Sequence, residues 1–214
     1  MTEQQMAFWD TISAFHDEGL LPHVMLIGSW AEYIYQHHLA DFQANLRTRD
    51  VDFLYPNLYR PKNQRIEIVK SLENKGFMYM VDRLSGVGKF IKEDYLVLEF
   101  ITLALGKGEP VNTIPSLNIK AEGMREVNML AQFPVDIECN GFVITVPEPE
   151  AYILQKLSAY PTRKPEYKKE KDIQAVRELL QHIDLDRLKQ ILSTITKKAQ
   201  KNVSAVQAEH FIEF

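Results

Sequence analysis

The chain has 214 residues, 45% apolar and 25% charged, with a formal net charge of −4, which excludes a disordered or collagen-like chain and a nucleic-acid binder driven by overall positive charge. Its single cysteine, Cys139, excludes an internal disulfide and fits a reducing, cytoplasmic setting. The greasiest stretch, residues 95–105, is too short to span a bilayer and carries Glu99, so no membrane partner is expected.

Met6, Phe8, Trp9, Ile12 and Phe15 recur at helical spacing and predict an amphipathic helix over 4–18, ended near Gly19. Residues 23–27 read as a short apolar strand stopped by Gly28-Ser29, and 30–39 as the helix that follows. A second strand spans 50–55 and is closed by Pro56. Helical periodicity resumes over 62–75 through Ile66, Ile68, Val69 and Leu72, with Gly76 as its cap. Strands follow at 77–81 and 95–103, the latter apolar on both faces and therefore central. Gly106, Gly108, Pro110 and Pro115 give 106–123 the composition of an irregular loop. Two strands, 134–139 and 142–146, flank Asn140-Gly141, a strong hairpin signal. Past Pro147 and Pro149, three helical patterns run over 150–159, 171–183 and 185–195. The expected fold class is α/β (α+β): a mixed sheet flanked by helices over 1–146, then a C-terminal helical region over 147–214.

Chemistry concentrates in Thr48-Arg49-Asp50-Val51-Asp52-Phe53. On a strand, Asp50 and Asp52 share one face while Val51 and Phe53 share the other. Two carboxylates this close repel unless a cation sits between them, and their hard oxygens suit Mg²⁺ or Mn²⁺; a solvated strand face is the bland alternative. Glu99, inside the apolar run 96–102, needs a compensating partner: a cation shared with Asp50 and Asp52, an arginine, or an edge position facing water. Gly28 lets backbone approach a ligand closely, and Ser29 offers a hydroxyl to phosphate oxygens or simply caps a helix.

Other motifs fail on geometry or context. Asp136 and Glu138 flank a tight hairpin and read as a polar sheet face. Gly86-Val87-Gly88-Lys89 lacks the spacing of a phosphate loop, and His37-His38 point about 100° apart on a helix. Lys156, Arg163, Lys164, Lys168, Lys169 and Lys171 concentrate positive charge in an acidic chain, either as a solvated face or as a rest for a polyanion.

The Gly28-Ser29 strand end, the Asp50-Val51-Asp52-Phe53 strand preceded by Thr48, and Glu99 within an apolar strand together resemble the polymerase-beta-type nucleotidyltransferase superfamily over residues 23–102. More narrowly, the chain is similar to bacterial stand-alone nucleotidyltransferases that include abortive-infection-type toxins. Their helical tail carries a lysine and then a basic stretch with Lys-Asp, matched here by Lys156, Arg163 and Lys171-Asp172; the arginine often found four positions before the first Asp is Leu46. The resemblance implies a nucleotidyltransferase-like mixed sheet, with Asp50 and Asp52 binding two metal ions and a nucleoside triphosphate such as ATP. Glu99 would hold one metal and help deprotonate the acceptor. Gly28, Ser29 and Thr48 would lie at the nucleotide, and Lys156 or Lys171 would neutralise phosphate charge. The implied reaction moves a nucleoside monophosphate to a hydroxyl on a tRNA end, a protein or a small molecule. A non-catalytic nucleotide-binding or protein-interaction module of the same fold is the alternative.

Overall fold

The computed structural model describes residues 1–46, 48–58, 60–61, 64–104, 110–125 and 127–214. Helix α1 (Glu3–Asp17) begins at a capping box: the Gln5 amide donates to Thr2 Oγ1, and the Thr2 amide donates to Gln5 Oε1. It buries Phe8, Ile12 and Phe15, as its spacing predicts. After a short 3₁₀ turn come β1 (Met25–Ile27), α2 (Ser29–Tyr35) and β2 (Asp50–Tyr55). Then follow α3 (Ile68–Asn74), β3 (Met78–Val81), β4 (Gly88–Lys92), β5 (Leu96–Leu103), β6 (Val111–Ile114) and β7 (Ile119–Met124). The chain closes with α4 (Asn128–Gln132), the hairpin β8 (Pro134–Cys139) and β9 (Phe142–Pro147), and α5 (Pro149–Ala159), α6 (Glu166–Leu179), α7 (Leu185–Thr194) and α8 (Lys197–His210).

The main sheet is mixed. Its path runs β1-β2-β5-β4-β3, and β7 pairs with β5 and with β6. Strand β5 is hydrogen-bonded along both edges: parallel to β2 and β7, and antiparallel to β4. Two-sided burial explains its lack of alternation. On one sheet face Phe15 of α1 packs against Phe53 and Phe100, with centroids 4.7 and 5.7 Å away. The opposite face is divided. Met25, Ile27, Leu54, Ile101, Val127 and Leu130 form a small apolar cluster under α4, while Asp50, Asp52 and Glu99 lie toward the other end of the same face by strand alternation and register. The sequence of β2, acid-Val-acid-Phe-Leu-Tyr, is therefore a strand whose second face changes from polar to apolar along its length.

Several expectations shift. The segment 106–123, expected to be irregular, contains the β6–β7 hairpin; Gly106 and Gly108 lie outside the described residues. Pro110 and Pro115 bracket β6 instead of interrupting it, and β7 is stabilised by pairing with the distant β5. Strand β4 carries Gly88-Lys89, part of the segment that lacks phosphate-loop spacing, and is held by pairing with β3 and β5. Helix α2 stops at Tyr35, short of Leu39, and the helix expected over 62–75 is confined to Ile68–Asn74, with Lys62 outside the described residues. Helix α6 starts at Glu166, behind Pro165, and ends at Leu179. Helix α8 lies within the expected helical region but beyond its three helical patterns: only Val203 and Val206 are buried within it, too sparse an apolar stripe to read in a lysine-rich run. Asn140-Gly141 makes the expected tight turn, both residues at positive φ. The largest apolar cluster takes in residues from Ala7 to Ile212, on both sides of residue 146. Among the described residues no helix is long and apolar enough to cross a membrane.

Candidate active site

Four strands carry one row of side chains. Ile27 pairs with Asp52, Asp52 with Glu99, and Glu99 with Lys89, across β1, β2, β5 and β4. In-register residues of neighbouring strands share a face, so Asp52 and Glu99 stand side by side, with Asp50 one pleat along from Asp52. Thr48 steadies the entry to β2: its Oγ1 accepts from the Asp50 amide at 3.1 Å, and its carbonyl accepts from Gln4 Nε2 at 2.6 Å. Gly28, at φ +67°, ends β1 directly against Asp52. A Cβ there would lie 2.9 Å from Asp52 Oδ2, so only glycine permits both the turn and the approach. Gly28 is also the residue that caps α2, and Ser29 is the first helical residue, so the capping role open to Ser29 is not the one it takes.

Electrostatics mark Asp52. Burial pushes its carboxyl up to about 7, and the negative charges of Glu99, Asp50 and Glu122 add to the effect while Arg163 opposes it. Glu99 finds its partner in Lys89, whose Nζ lies 2.7 Å from Oε1; the sequence offered a shared cation, an arginine or water, and the structure supplies a lysine. Among the described residues no three His, Cys, Asp or Glu side chains stand close enough to cage a metal.

Asp50 and Asp52 open onto a cleft of about 630 Å³ between the sheet and α5–α6, lined also by Gly28, Ser29, Thr48, Lys156, Arg163 and Lys171. Lys156 and Lys171 are thus brought to the same cleft as the Asp pair, but in different states. Lys156 is buried, not on a solvated helix face. Its Nζ donates to Asp172 Oδ1 at 2.6 Å, lies 3.9 Å from Glu32 Oε1, and sits 4.7 Å from the centre of the Tyr152 ring. Arg163 Nε closes on the other Asp172 oxygen at 3.0 Å, which gives Asp172 the role of joining α5 to the loop before α6. Tyr152 Oη lies 2.5 Å from Glu32 Oε1 and 3.1 Å from the Gly28 carbonyl, linking α5 to the glycine turn. Burial raises the Glu32 pKa, countered by Lys156 and by the Tyr152 hydrogen bond. Lys171 is half-buried and has no salt-bridge partner among the described residues. Burial lowers its pKa, and the charges of Glu32, Asp172 and Asp50 pull the other way.

Sequence reasoning missed Lys89, Glu32, Tyr152 and Glu122. Their places depend on pairings between distant segments; the one local signal, Tyr152 and Lys156 a helical turn apart, reads equally as a core helix.

The cleft is thus floored by an Asp-x-Asp strand and walled by a basic helical tail. Residues 7–201 match a family described as Nucleotidyltransferase. The chain belongs to this family. In fold, the chain is similar to an antigenic nucleotidyltransferase-like protein from Paracoccidioides brasiliensis, at 13% identity and a TM-score of 0.61, over 98% of this chain and 90% of that one. It is also similar to ANT(2")-Ia in complex with adenylyl-2"-tobramycin, at 15% identity and a TM-score of 0.49, over 98% and 99% of the two chains. For lincomycin-bound LnuA, a lincosamide antibiotic adenylyltransferase, the values are 16% and 0.46, over 84% and 97%. No curated protein matches the sequence. At 13% identity the likeness to the Paracoccidioides brasiliensis protein is one of fold.

Proposed function

We propose that this nucleotidyltransferase moves a nucleoside monophosphate from a nucleoside triphosphate to a hydroxyl acceptor in a reaction that depends on Mg²⁺ or Mn²⁺. The observation that carries the reading is the pair Asp50 and Asp52 on the floor of the cleft, with the Asp52 carboxyl pushed up to about 7 by burial and by its acidic neighbours. Such a site is short of one positive charge, and a divalent cation supplies it. Two carboxylates fit Mg²⁺, which keeps several waters and is completed by substrate phosphates, so a closed protein cage is not needed.

Asp50 and Asp52 would hold the metal. When bound, the metal supplies positive charge that stabilises the reacting phosphoryl group and the departing pyrophosphate. Gly28, without a Cβ, leaves backbone open to phosphate oxygens beside Asp52, and Ser29 adds a hydroxyl donor. Lys171, without a salt-bridge partner among the described residues, faces the charge of Asp50 and would neutralise the triphosphate. Lys156 is committed to Asp172 and holds α5 and α6 together at the cleft. Glu99, one strand beyond Asp52, would add its carboxylate to the metal and help take the proton of the acceptor hydroxyl as the hydroxyl oxygen bonds to the α-phosphorus and the bond to the β-phosphate oxygen breaks. The acceptor hydroxyl belongs to an RNA end, a protein or a small molecule.

The test is a melting assay with each non-hydrolysable nucleoside triphosphate, with and without Mg²⁺, on the wild type and on Asp50→Asn. A rise in melting temperature that needs both ligand and metal, and that is lost in the variant, is the expected result. Absence of any metal-dependent shift with all four nucleotides overturns the reading. Labelled triphosphate supplied with total RNA, with lysate protein and with small-molecule extract then identifies the acceptor class.

A further inference from the structure

Lys89 stands in line with the acidic cluster. The pairings Asp52 with Glu99 and Glu99 with Lys89 place three side chains in a row on one sheet face, with Lys89 Nζ 2.7 Å from Glu99 Oε1. Strands are spaced about 4.8 Å apart, so this lysine starts one strand from Glu99 and two from Asp52. Its backbone is fixed by pairing with Met80 on one side and Glu99 on the other. Its side chain keeps 34% of its exposure while that of Glu99 keeps 16%, so the ammonium has a path to water that leaves the sheet intact. Asp50 and Asp52 line the cleft, whereas Glu99 is absent from its wall. An ammonium and a divalent cation repel, and one carboxylate oxygen cannot serve both at close range.

We propose that Lys89 is a built-in counter-cation for Glu99 that competes with divalent metal for the acidic cluster. In the free protein Asp50 and Asp52 form the open part of the site, and Glu99 joins them only when Lys89 is displaced. Metal affinity is thereby set by a residue that does not itself bind metal. The inference rests on the reading of Asp50 and Asp52 as metal-holding, and it makes Lys89 a positioning residue for Glu99.

Calorimetric titration of the full chain with Mn²⁺ at neutral pH and fixed ionic strength tests this, with melting in chelator to verify that each variant is folded. Lys89→Met should bind Mn²⁺ about tenfold tighter than wild type, the scale expected for removing a cation from an acidic pair at contact distance. Lys89→Arg should stay close to wild type, and Lys89→Gln repeats the charge removal should the Met variant not fold. The gain should vanish when Lys89→Met is combined with Glu99→Gln. An unchanged affinity in the folded charge-removing variants, or a gain that survives in the Glu99→Gln background, overturns the role of Lys89. If wild type binds Mn²⁺ and Asp52→Asn does not, the metal-holding role of the Asp pair stands whatever Lys89 does. If neither wild type nor Lys89→Met binds Mn²⁺, both readings fall.

Discussion

Replacing Asp52 by Asn in protein stripped of divalent metal should raise stability, and the gain should depend on pH. The ordinary carboxyl value of 3.8 is pushed up to about 7 at Asp52 by burial and by Glu99, Asp50 and Glu122. The folded protein therefore holds this proton more tightly than the unfolded chain does. Below about pH 4 the group is neutral in both states and costs nothing; as pH rises from about 4 to 7 the unfolded chain ionises freely and the folded one resists, so stability falls. Above 7 the penalty is complete. At about 1.4 kcal/mol for each tenfold change in proton affinity it amounts to at most about 4 kcal/mol, an upper figure because Asp52 keeps some contact with the water of the cleft. Asn has the same shape and no charge. Urea denaturation in chelator at pH 5, 6, 7 and 8 should show the variant gaining on wild type as pH rises, up to several kcal/mol at pH 8. Adding Mg²⁺ or Mn²⁺ should then stabilise wild type and leave the variant unmoved. A difference between the two proteins that stays flat from pH 5 to 8 would refute the argument that burial and like charge strain Asp52.

Gly28→Ala should destabilise by about 1–3 kcal/mol, because alanine must accept φ +67° with its Cβ 2.9 Å from Asp52 Oδ2, and it should abolish metal-dependent nucleotide binding; chemical denaturation and the melting assay read the two effects. Asp172→Ala strands the buried Lys156, whose remaining carboxylate, Glu32, is 3.9 Å away, and should cost about 3–5 kcal/mol in urea denaturation; a loss below about 1 kcal/mol would show that Lys156 finds water. Lys171→Ala should change stability by less than about 1 kcal/mol, since burial already disfavours its charge, while weakening Mg²⁺-nucleotide binding more at low salt than at high salt. Equal nucleotide affinity in wild type and Lys171→Ala across the salt series would remove Lys171 from the phosphate site.

Features that rest on short-range periodicity were legible in the amino-acid sequence. The span of β2 and the shared face of Asp50 and Asp52 follow from the two-residue pleat, the turn at Asn140-Gly141 from the positive φ those residues tolerate, and α1 from an apolar stripe of helical period. The central position of β5 was legible too, because a strand buried on both faces loses its alternation. Pairings between segments far apart in the chain were decided by the tertiary structure alone. Strand β4 and the β6–β7 hairpin lack a strong local signal and are held by the one edge of β5 that β2 leaves open, β4 and β7 pairing with successive stretches of it. The same cause governs the site: the register that sets Asp52 beside Glu99, and Glu99 beside Lys89, belongs to the assembled sheet and is encoded in no single stretch of residues. Lys156 could be read as a surface charge or a phosphate ligand until α6 brought Asp172 within 2.6 Å, because the state of a long charged side chain depends on which partner the fold carries to it.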